Sequence, residues 1–289
     1  MESNPLDTIT LALDWSPNVL HAGIFLAEMN GWFEEEGIYL NWYTTEIDNY
    51  TKKPIMRVID GEADVSIGPS EHLLFMGMNA EGEALIEAAA TILQRDQSAF
   101  VVKTNKGISR PADLDGKVYL GYKTPLEDTI LKHMIRHDGG EGNILIKTPA
   151  RLDVWDAFMN DSGHVAWVFT HWEGALAQQK GVQLHAFYPS DYGVPYGYSS
   201  VLMVRSGETD SDRIQRFLGV LERAYIAVSK TSAKELAIAL VNYVDHENFS
   251  DHEFVALAIS DIQDAFLDEG GNWGGMEDSV WASWASWIK

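Results

Sequence analysis

The chain of 289 residues contains no cysteine. Disulfide bonds, thiolate metal ligands and cysteine nucleophiles are therefore excluded. Positive charge is scarce too, because 21 Lys and Arg residues stand against 43 Asp and Glu residues, giving a formal net charge of −22. Nucleic acids and anionic membrane surfaces are bound by clustered cations, so this balance argues against both as partners.

Long apolar runs are missing as well. No stretch approaches the about 20 apolar residues of a membrane-spanning helix. The N-terminal residues MESNPLDT lack the basic region and the apolar run of a signal peptide. We therefore expect either a cytoplasmic protein, or a periplasmic or membrane-tethered extracellular protein whose leader has been removed and is not present in this chain.

Hydrophobic and aromatic residues, in contrast, are plentiful. Hydrophobic residues make up 46% of the chain, which is enough for one long domain or for two lobes. The sequence has 10 Trp, 11 Tyr and 11 Phe residues. Flat side chains in this number suit a cleft that binds a planar ring, although Trp also fills ordinary protein cores.

Apolar periodicity predicts an α/β chain in which strands and helices alternate over the first two-thirds, a pattern typical of parallel sheets. The strands are expected at residues 8–14, 37–43, 62–67, the second half of 84–94, 99–103, 118–122, 144–147, 165–169, 183–187 and 199–205. The helices between them are expected at residues 22–29, 53–60, 71–79, 126–137, 152–159 and 172–179. From residue 211 onward the pattern is helical, with helices at 211–229, 232–243, 251–264 and 276–288.

These two series of strands and helices predict two α/β lobes. The chain would cross between them twice, near residues 102 and 204, and the two crossings would form a hinge. Lobe 1 would comprise residues 1–102 and 205–289, and lobe 2 would comprise residues 103–204.

A short polar and aromatic segment joins the first strand to the first helix. Pro17 breaks the strand because it fixes its own φ angle and removes a backbone donor. In open α/β sheets, ligands bind at the carboxyl ends of strands. The polar and aromatic side chains of this segment are therefore candidate ligand contacts, namely Asp14, Trp15, Asn18 and His21.

Three parts of the sequence carry a family resemblance. They are Leu13–Ile38, then Gly61–Gly68 followed by Ser70-Glu71, and finally Ala166–Gly174 together with Asp191–Val204. In these parts the chain resembles the extracytoplasmic solute-binding proteins of ABC importers, and among them the branch that binds pyrimidine precursors of thiamin. The resemblance implies the type II periplasmic-binding-protein fold, with two α/β lobes, a hinge and a C-terminal helical tail.

The same resemblance implies a function. We expect the protein to bind a small aminopyrimidine, such as formylaminopyrimidine or hydroxymethylpyrimidine, in the interlobe cleft and to deliver it to the permease subunits of an ABC importer. Such a protein is expected to be a monomer and not an enzyme, with no catalytic residue, no metal ligand and no cofactor. Stacking on aromatic side chains and hydrogen bonds to carboxylates would hold the ligand.

Each candidate in the first segment has a ligand role and a structural alternative. Trp15 could stack on the ligand ring or plug the lobe interface. Asp14 could accept a hydrogen bond from a ring amino group or cap the following helix. Asn18 and His21 are open to the same two interpretations.

The second candidate junction follows the strand at residues 62–67. Ser70 is expected to be the N-cap of the helix at residues 71–79. Glu71 lies in the first turn, where a carboxylate stabilises a helix with or without a ligand. His72, one residue further on, is more typical of a helix surface than of a catalytic group.

The third junction lies in the predicted second lobe. Trp167 lies inside a strand, so core packing competes with a ligand role. Trp172 and Glu173 begin a helix and could point into the cleft. Tyr192 and Tyr196 flank Pro195 in a loop, where aromatic side chains stack on ligand rings or pack between lobes.

Two other functions remain as alternatives. A fungal relative of the same fold is a pyrimidine synthase that consumes pyridoxal phosphate and one of its own histidines. Here His72 takes the place of that histidine, but Gly68 takes the place of the lysine, and the cysteine-rich loop has no counterpart. The first alternative is thus a synthase or salvage enzyme, and the second is a sulfonate or nitrate binder, although no Arg or Lys lies at the three junctions.

Two more patterns have structural explanations. His133 and His137 would share a helix face, but no third ligand lies nearby in the sequence, so we expect no metal site. The tryptophans of the last helix, Trp281, Trp284 and Trp287, are spaced three residues apart. They predict that this helix docks on lobe 1 rather than on a membrane, because its flanks are poor in cations.

Overall fold

A computed structural model describes residues 6–124, 126–149 and 153–289. In chain order the strands are β1 (Asp7–Ala12), β2 (Ile38–Tyr43), β3 (Val65–Gly68), β4 (Ile86–Thr91), β5 (Ser98–Lys103), β6 (Val118–Leu120), β7 (Leu145–Lys147), β8 (Val165–Phe169), β9 (Leu184–Phe187) and β10 (Val201–Arg205). The helices are α1 (Ala22–Met29), α2 (Trp32–Glu35), α3 (Pro54–Ile59), α4 (Ser70–Met76), α5 (Glu127–His137), α6 (Val154–Met159), α7 (Ala175–Gln179), α8 (Asp212–Lys230), α9 (Ala233–Tyr243), α10 (His252–Ile262) and α11 (Asp278–Trp287).

The chain divides into two compact units, each with its own mixed sheet. Unit 1 comprises Met1–Asp96 and Gly197–Glu277, and unit 2 comprises Gln97–Tyr196 and Asp278–Lys289. The α/β class predicted from the sequence is confirmed. Over the described ranges, no helix has the length and apolar character that crossing a membrane requires.

The sheet of unit 1 has the order β2-β1-β3-β10-β4. Strand β1 is parallel to both β2 and β3, whereas β10 runs antiparallel to β3 and β4. Because β1 and β3 are parallel neighbours, the segments that follow them begin at the same edge of the sheet. This arrangement brings the first two predicted junctions together.

Helix α1 packs closely on helix α8 in unit 1. A Cβ atom on Gly23 would lie 2.8 Å from the ring of Tyr225, so the approach of the two helices requires glycine at this position. The Tyr225 hydroxyl donates to the carbonyl of Leu20 at 2.8 Å, and its ring stacks on Trp273. The segment just after β1 is therefore fixed to the long helix α8.

The sheet of unit 2 has the order β7-β6-β8-β5-β9. Strand β6 is parallel to β7 and β8, whereas β5 runs antiparallel to β8 and β9. Its core contains small and branched residues of β5 and β8, together with Leu120, Val154 and Phe158. Both sheets thus contain one antiparallel strand where the alternating pattern predicts a parallel sheet.

The units differ from the predicted lobes at three places. Strand β5 belongs to the sheet of unit 2, and β10 belongs to the sheet of unit 1. Helix α11 belongs to unit 2 instead of docking on the first lobe, because Trp284 and Trp287 pack on aromatic side chains of that unit. The apolar pattern of a strand is the same whichever sheet it joins. Periodicity therefore does not reveal the sheet of a strand that lies where the chain passes from one unit to the other. Leu152, the predicted start of the sixth helix, lies outside the described residues.

Candidate functional site

A carboxylate and a histidine form a pair just after strand β1. His21 is fully buried, and its Nε2 lies 2.9 Å from Oδ1 of Asp14. The backbone N–H of Asn18 donates to Nδ1 of His21 at 3.3 Å. Since Nδ1 accepts, Nε2 carries the proton and donates to Asp14. His21 is therefore engaged inside the protein and orients Asp14, whose side chain is partly exposed.

Asn18 serves the local fold. Its Oδ1 accepts from the N–H of Leu20 at 2.9 Å, and its Nδ2 donates to the carbonyl of Ser16 at 3.0 Å. It caps the short 3₁₀ turn Val19–His21 that leads into α1. The capping interpretation of Asn18 is thus the one that these contacts support.

Trp15 contacts an aromatic side chain that the sequence reasoning did not single out. Its ring centroid lies 4.6 Å from that of Tyr50. The φ angles of Asn49 and Tyr50 are +53° and +60°, a left-handed conformation that costs energy for residues other than glycine. The hydroxyl of Ser16 lies 2.6 Å from the Tyr50 hydroxyl, so the strained turn is held against the segment after β1.

Long-range hydrogen bonds fix this segment further. Ser16 donates to Oε1 of Glu46 at 2.8 Å, and Nε2 of His246 lies 3.2 Å from the same oxygen. Burial raises the pKa of Glu46, but hydrogen bonds from Ser16, Thr44 and His246 outweigh that effect and lower it. Asn248 donates to the carbonyl of Pro17 at 2.9 Å. These partners lie 30 to more than 200 positions away in the chain, and no local sequence signal identifies them.

Buried hydroxyl groups lie at the second junction. Ser70 was predicted to be the N-cap of α4, but it is the first residue of that helix, and Pro69 occupies the capping position. The backbone N–H of Ser70 donates to the carbonyl of Tyr198. The hydroxyls of Ser70, Ser199 and Ser200 are buried and have no hydrogen-bond partner within the described ranges. A buried hydroxyl without a partner costs about 1–3 kcal/mol, so these groups are suited to bind a polar ligand atom.

Ionisable side chains also lie in the first turn of α4. Glu71 is 7% exposed and follows Ser70 in the first turn of α4. Nζ of Lys53 lies 3.3 Å from Nε2 of His72. The sequence placed no cation at this junction, because Lys53 precedes a different helix, α3. The fold brings this amine to His72, the residue in the position of the fungal synthase's histidine.

The third junction, in unit 2, contains an aromatic corner. The ring of Trp167 stacks on Phe100 at 4.9 Å, and its edge contact with Tyr196 has a centroid distance of 5.5 Å. The indole Nε1 of Trp167 is buried and has no hydrogen-bond partner among the described residues. Trp167 therefore packs partly in the core of unit 2, as its position in a strand suggested. Its indole N–H can still donate a hydrogen bond to a ligand.

Trp172 and Glu173 lie in a π-helical turn, Thr170–Gly174, that precedes α7. The helix predicted over residues 172–179 is therefore present, but residues 172–174 belong to a π-helical turn and only Ala175–Gln179 are α-helical. One Glu173 oxygen accepts from the N–H of Phe169 at 3.0 Å. Solvent reaches part of this side chain, yet protein atoms surround the carboxylate, and this burial raises its pKa to about 7. Such a carboxylate can change its protonation state when a ligand donates a hydrogen bond to it.

Tyr192 and the two helical histidines lie together in unit 2. Tyr192 has edge contacts with His137 and Phe187 at centroid distances of 6.4 and 6.3 Å. His133 and His137 stack at 6.1 Å. Over residues 6–124, 126–149 and 153–289, no group of three metal-ligating side chains is present.

Comparison with known proteins relates this arrangement to binding proteins. The sequence model of the family described as NMT1/THI5 like matches residues 18–233. The formylaminopyrimidine-binding protein of Halalkalibacterium halodurans is 22% identical over 99% of this chain and 86% of its own length.

Solved structures show the same fold. The periplasmic aliphatic sulphonate binding protein SsuA from Escherichia coli superposes with a TM-score of 0.71 at 14% identity, covering 99% of this chain and 87% of its own. The CA3427 gene product of Candida albicans, described as having the generic periplasmic binding protein fold, gives a TM-score of 0.59 at 13% identity, covering 96% and 94%. The predicted type II periplasmic-binding architecture is therefore confirmed.

Proposed function

This chain belongs to the NMT1/THI5-like family, and from that premise we propose that it is a solute-binding protein that captures a small aminopyrimidine precursor of thiamin. It would deliver the ligand to the permease of an ABC importer, which places it outside the cytoplasmic membrane, either periplasmic or tethered. The similarity to a formylaminopyrimidine-binding protein over 99% of the chain supports this choice of ligand.

The observation that carries the proposal is the orientation of Asp14 by His21. The imidazole donates to one carboxylate oxygen, and no hydrogen bond to the other is present among the described residues. A fixed carboxylate acceptor at the carboxyl end of a strand matches the exocyclic amino group of an aminopyrimidine. In unit 2, Glu173 is a second candidate acceptor. The partly exposed side chains of Trp15 in unit 1 and Trp172 in unit 2 are candidate stacking surfaces for a planar ligand.

Calorimetric titration with formylaminopyrimidine and hydroxymethylpyrimidine tests the proposal, with taurine and nitrate as anionic competitors. We expect the wild-type protein to bind at least one pyrimidine. The Asp14→Asn variant should bind it at least tenfold more weakly, because a charged acceptor is lost. The Asp210→Asn variant, which alters an exposed carboxylate of the same unit, should bind normally. Binding of an anion in place of either pyrimidine would refute the ligand assignment.

The aromatic contacts are tested separately. Trp15→Ala and Trp172→Ala should each weaken pyrimidine binding while the far-ultraviolet circular dichroism and the melting temperature stay near those of the wild type. Unchanged affinity in both variants would show that the ligand lies elsewhere.

The contact between Lys53 and His72 favours an enzyme as the second candidate. A lysine amine can attach an aldehyde such as pyridoxal phosphate, but the chain lacks the cysteine-rich loop of the fungal synthase. Incubation with pyridoxal phosphate, reduction with borohydride and peptide mass spectrometry would reveal attachment. A stoichiometric adduct on Lys53 that is absent on exposed Lys180 would support the enzyme and refute a purely binding role.

A further inference from the structure

The C-terminal helix α11 packs into unit 2 through its tryptophans. Trp284 is fully buried. Its ring contacts Tyr196 edge-on at 5.0 Å and stacks on Trp287 at 5.5 Å. Trp287 in turn contacts His133 of α5 at 5.3 Å. The last helix is thus joined to α5 at one point and to the loop that contains Tyr196 at another.

Tyr196 lies in a loop without regular structure. Residues 194–198 form neither helix nor strand, and the N–H of Tyr196 donates to the carbonyl of Val194 within the same loop. A loop of this kind does not fix the direction of a large side chain through a regular backbone ladder. The contact with Trp284 provides a rigid surface for the tyrosine ring.

Trp167 completes the series of contacts. It stacks on the fully buried Phe100 of the neighbouring strand, which holds one face of the indole. The Tyr196 ring stands at 68° to the Trp167 ring, and the Trp284 ring stands at 68° to the Tyr196 ring. The Trp167 and Tyr196 rings therefore stand at a steep angle to each other and form the two sides of the aromatic corner.

We propose that Trp284 is a positioning residue of the ligand site, which holds Tyr196 perpendicular to Trp167 so that the aromatic corner is formed before the ligand arrives. The inference rests on the proposed function, because it assigns the corner to the planar ring of a pyrimidine. Preformed contacts raise affinity by removing the entropy cost of ordering the side chains during binding. Trp284 itself need not touch the ligand.

Hydrogen exchange followed by mass spectrometry tests the positioning role without a ligand. In Trp284→Ala, we expect the amides of Val194 and of residues 196–198 to exchange at least tenfold faster than in the wild type; Pro195 has no amide hydrogen. The control is Trp155→Ala, which removes a tryptophan of the same unit that stacks on Phe158 at the core. Unchanged exchange in Trp284→Ala, or an equal increase in the control, would overturn the proposal.

Calorimetry with formylaminopyrimidine tests the consequence for binding. An aromatic contact accounts for a factor of roughly 2 to 13, so Trp284→Ala should weaken binding by up to about tenfold. Trp284→Phe should restore most of the affinity, and it also serves if the alanine variant does not fold. In Tyr196→Ala, adding the Trp284 substitution should cause no further loss. Additive losses would contradict the role of Trp284.

The two experiments separate the inference from the function on which it rests. If the wild-type protein does not bind the pyrimidine, the proposed function fails, and the exchange rates alone decide whether Trp284 positions Tyr196.

Discussion

The raised pKa of Glu173 leads to a sharp prediction for the Glu173→Gln variant. Burial raises the pKa to about 7 from an ordinary value of 4.5, although the carboxylate accepts hydrogen bonds from the backbone of Phe169 and of Glu173 itself. Glutamine has the same shape and cannot ionise. The substitution therefore removes the titration and keeps an acceptor for the Phe169 N–H.

The sign of the effect follows from linkage. Below pH 4.5 the carboxyl is protonated in the folded and the unfolded state, so its ionisation does not affect stability. As the pH rises through 7, the unfolded state has already lost the proton that the folded state still holds, and stability falls. A difference of 7 − 4.5 = 2.5 units corresponds to about 3 kcal/mol at most. Partial solvent exposure of the side chain reduces this, and we expect about 1–2 kcal/mol.

Urea unfolding of both proteins at pH 5, 6, 7 and 8 measures this difference. We expect the free energy of unfolding of Glu173→Gln to rise relative to the wild type by about 1–2 kcal/mol between pH 5 and pH 8. The Glu141→Gln variant, which alters an exposed carboxylate in the same unit, should show no such trend. Parallel stability curves for wild type and Glu173→Gln would refute the reasoning.

The same carboxylate should make ligand binding depend on pH. A ligand N–H group stabilises the ionised form and so lowers the pKa of Glu173 in the complex. Pyrimidine affinity should therefore increase from pH 5 to pH 8 in the wild type and stay constant in Glu173→Gln. A pH dependence that survives the substitution would assign the titration to another group.

Further predictions concern a histidine and two glycines. Burial is the main cause that lowers the pKa of His133, so the stability of the folded protein should fall as the pH drops below about 6.5. In thermal melts, His133→Gln should remove that loss, whereas His252→Gln, at an exposed position, should not. Gly23→Ala should lower the urea midpoint, with a cost of about 1–3 kcal/mol, because its Cβ would lie 2.8 Å from the Tyr225 ring. Gly219→Ala in the exposed middle of α8 meets no atom within 4 Å and should instead stabilise by up to about 1 kcal/mol.

Local sequence patterns predicted most elements of the fold, although not the short helix α2. The predicted helix at residues 22–29 and the predicted strand at residues 165–169 have the bounds found in the structure, because capping and apolar periodicity are local signals. Local patterns did not predict the units to which β5, β10 and α11 belong. Their apolar residues pack equally well in either core, and for the two strands pairing partners more than 60 positions away decide the sheet.

The candidate site residues also divide into those that local sequence signals indicate and those that only the fold brings together. Strand-to-helix junctions are local, so the sequence was sufficient to propose Asp14, His21 and Glu173 as candidates. Tyr50 and Lys53 were missed, since each reaches its partner through a fold-dependent approach, and the left-handed conformation of Tyr50 has no glycine to signal it. The sequence placed His21 among the ligand contacts, but its two nitrogens are engaged by Asp14 and Asn18.

The helical tail contacts candidate ligand residues in each of the two units. In unit 1, His246 and Asn248 between α9 and α10 hold the segment after β1 through Glu46 and the Pro17 carbonyl. In unit 2, α11 holds Tyr196 through Trp284. A chain shortened before α11 would keep the first set of contacts and lose the second, so its binding defect should resemble that of Trp284→Ala. The tail is therefore part of the binding machinery that we propose, because each of its two portions fixes a loop that the sheets leave without regular structure.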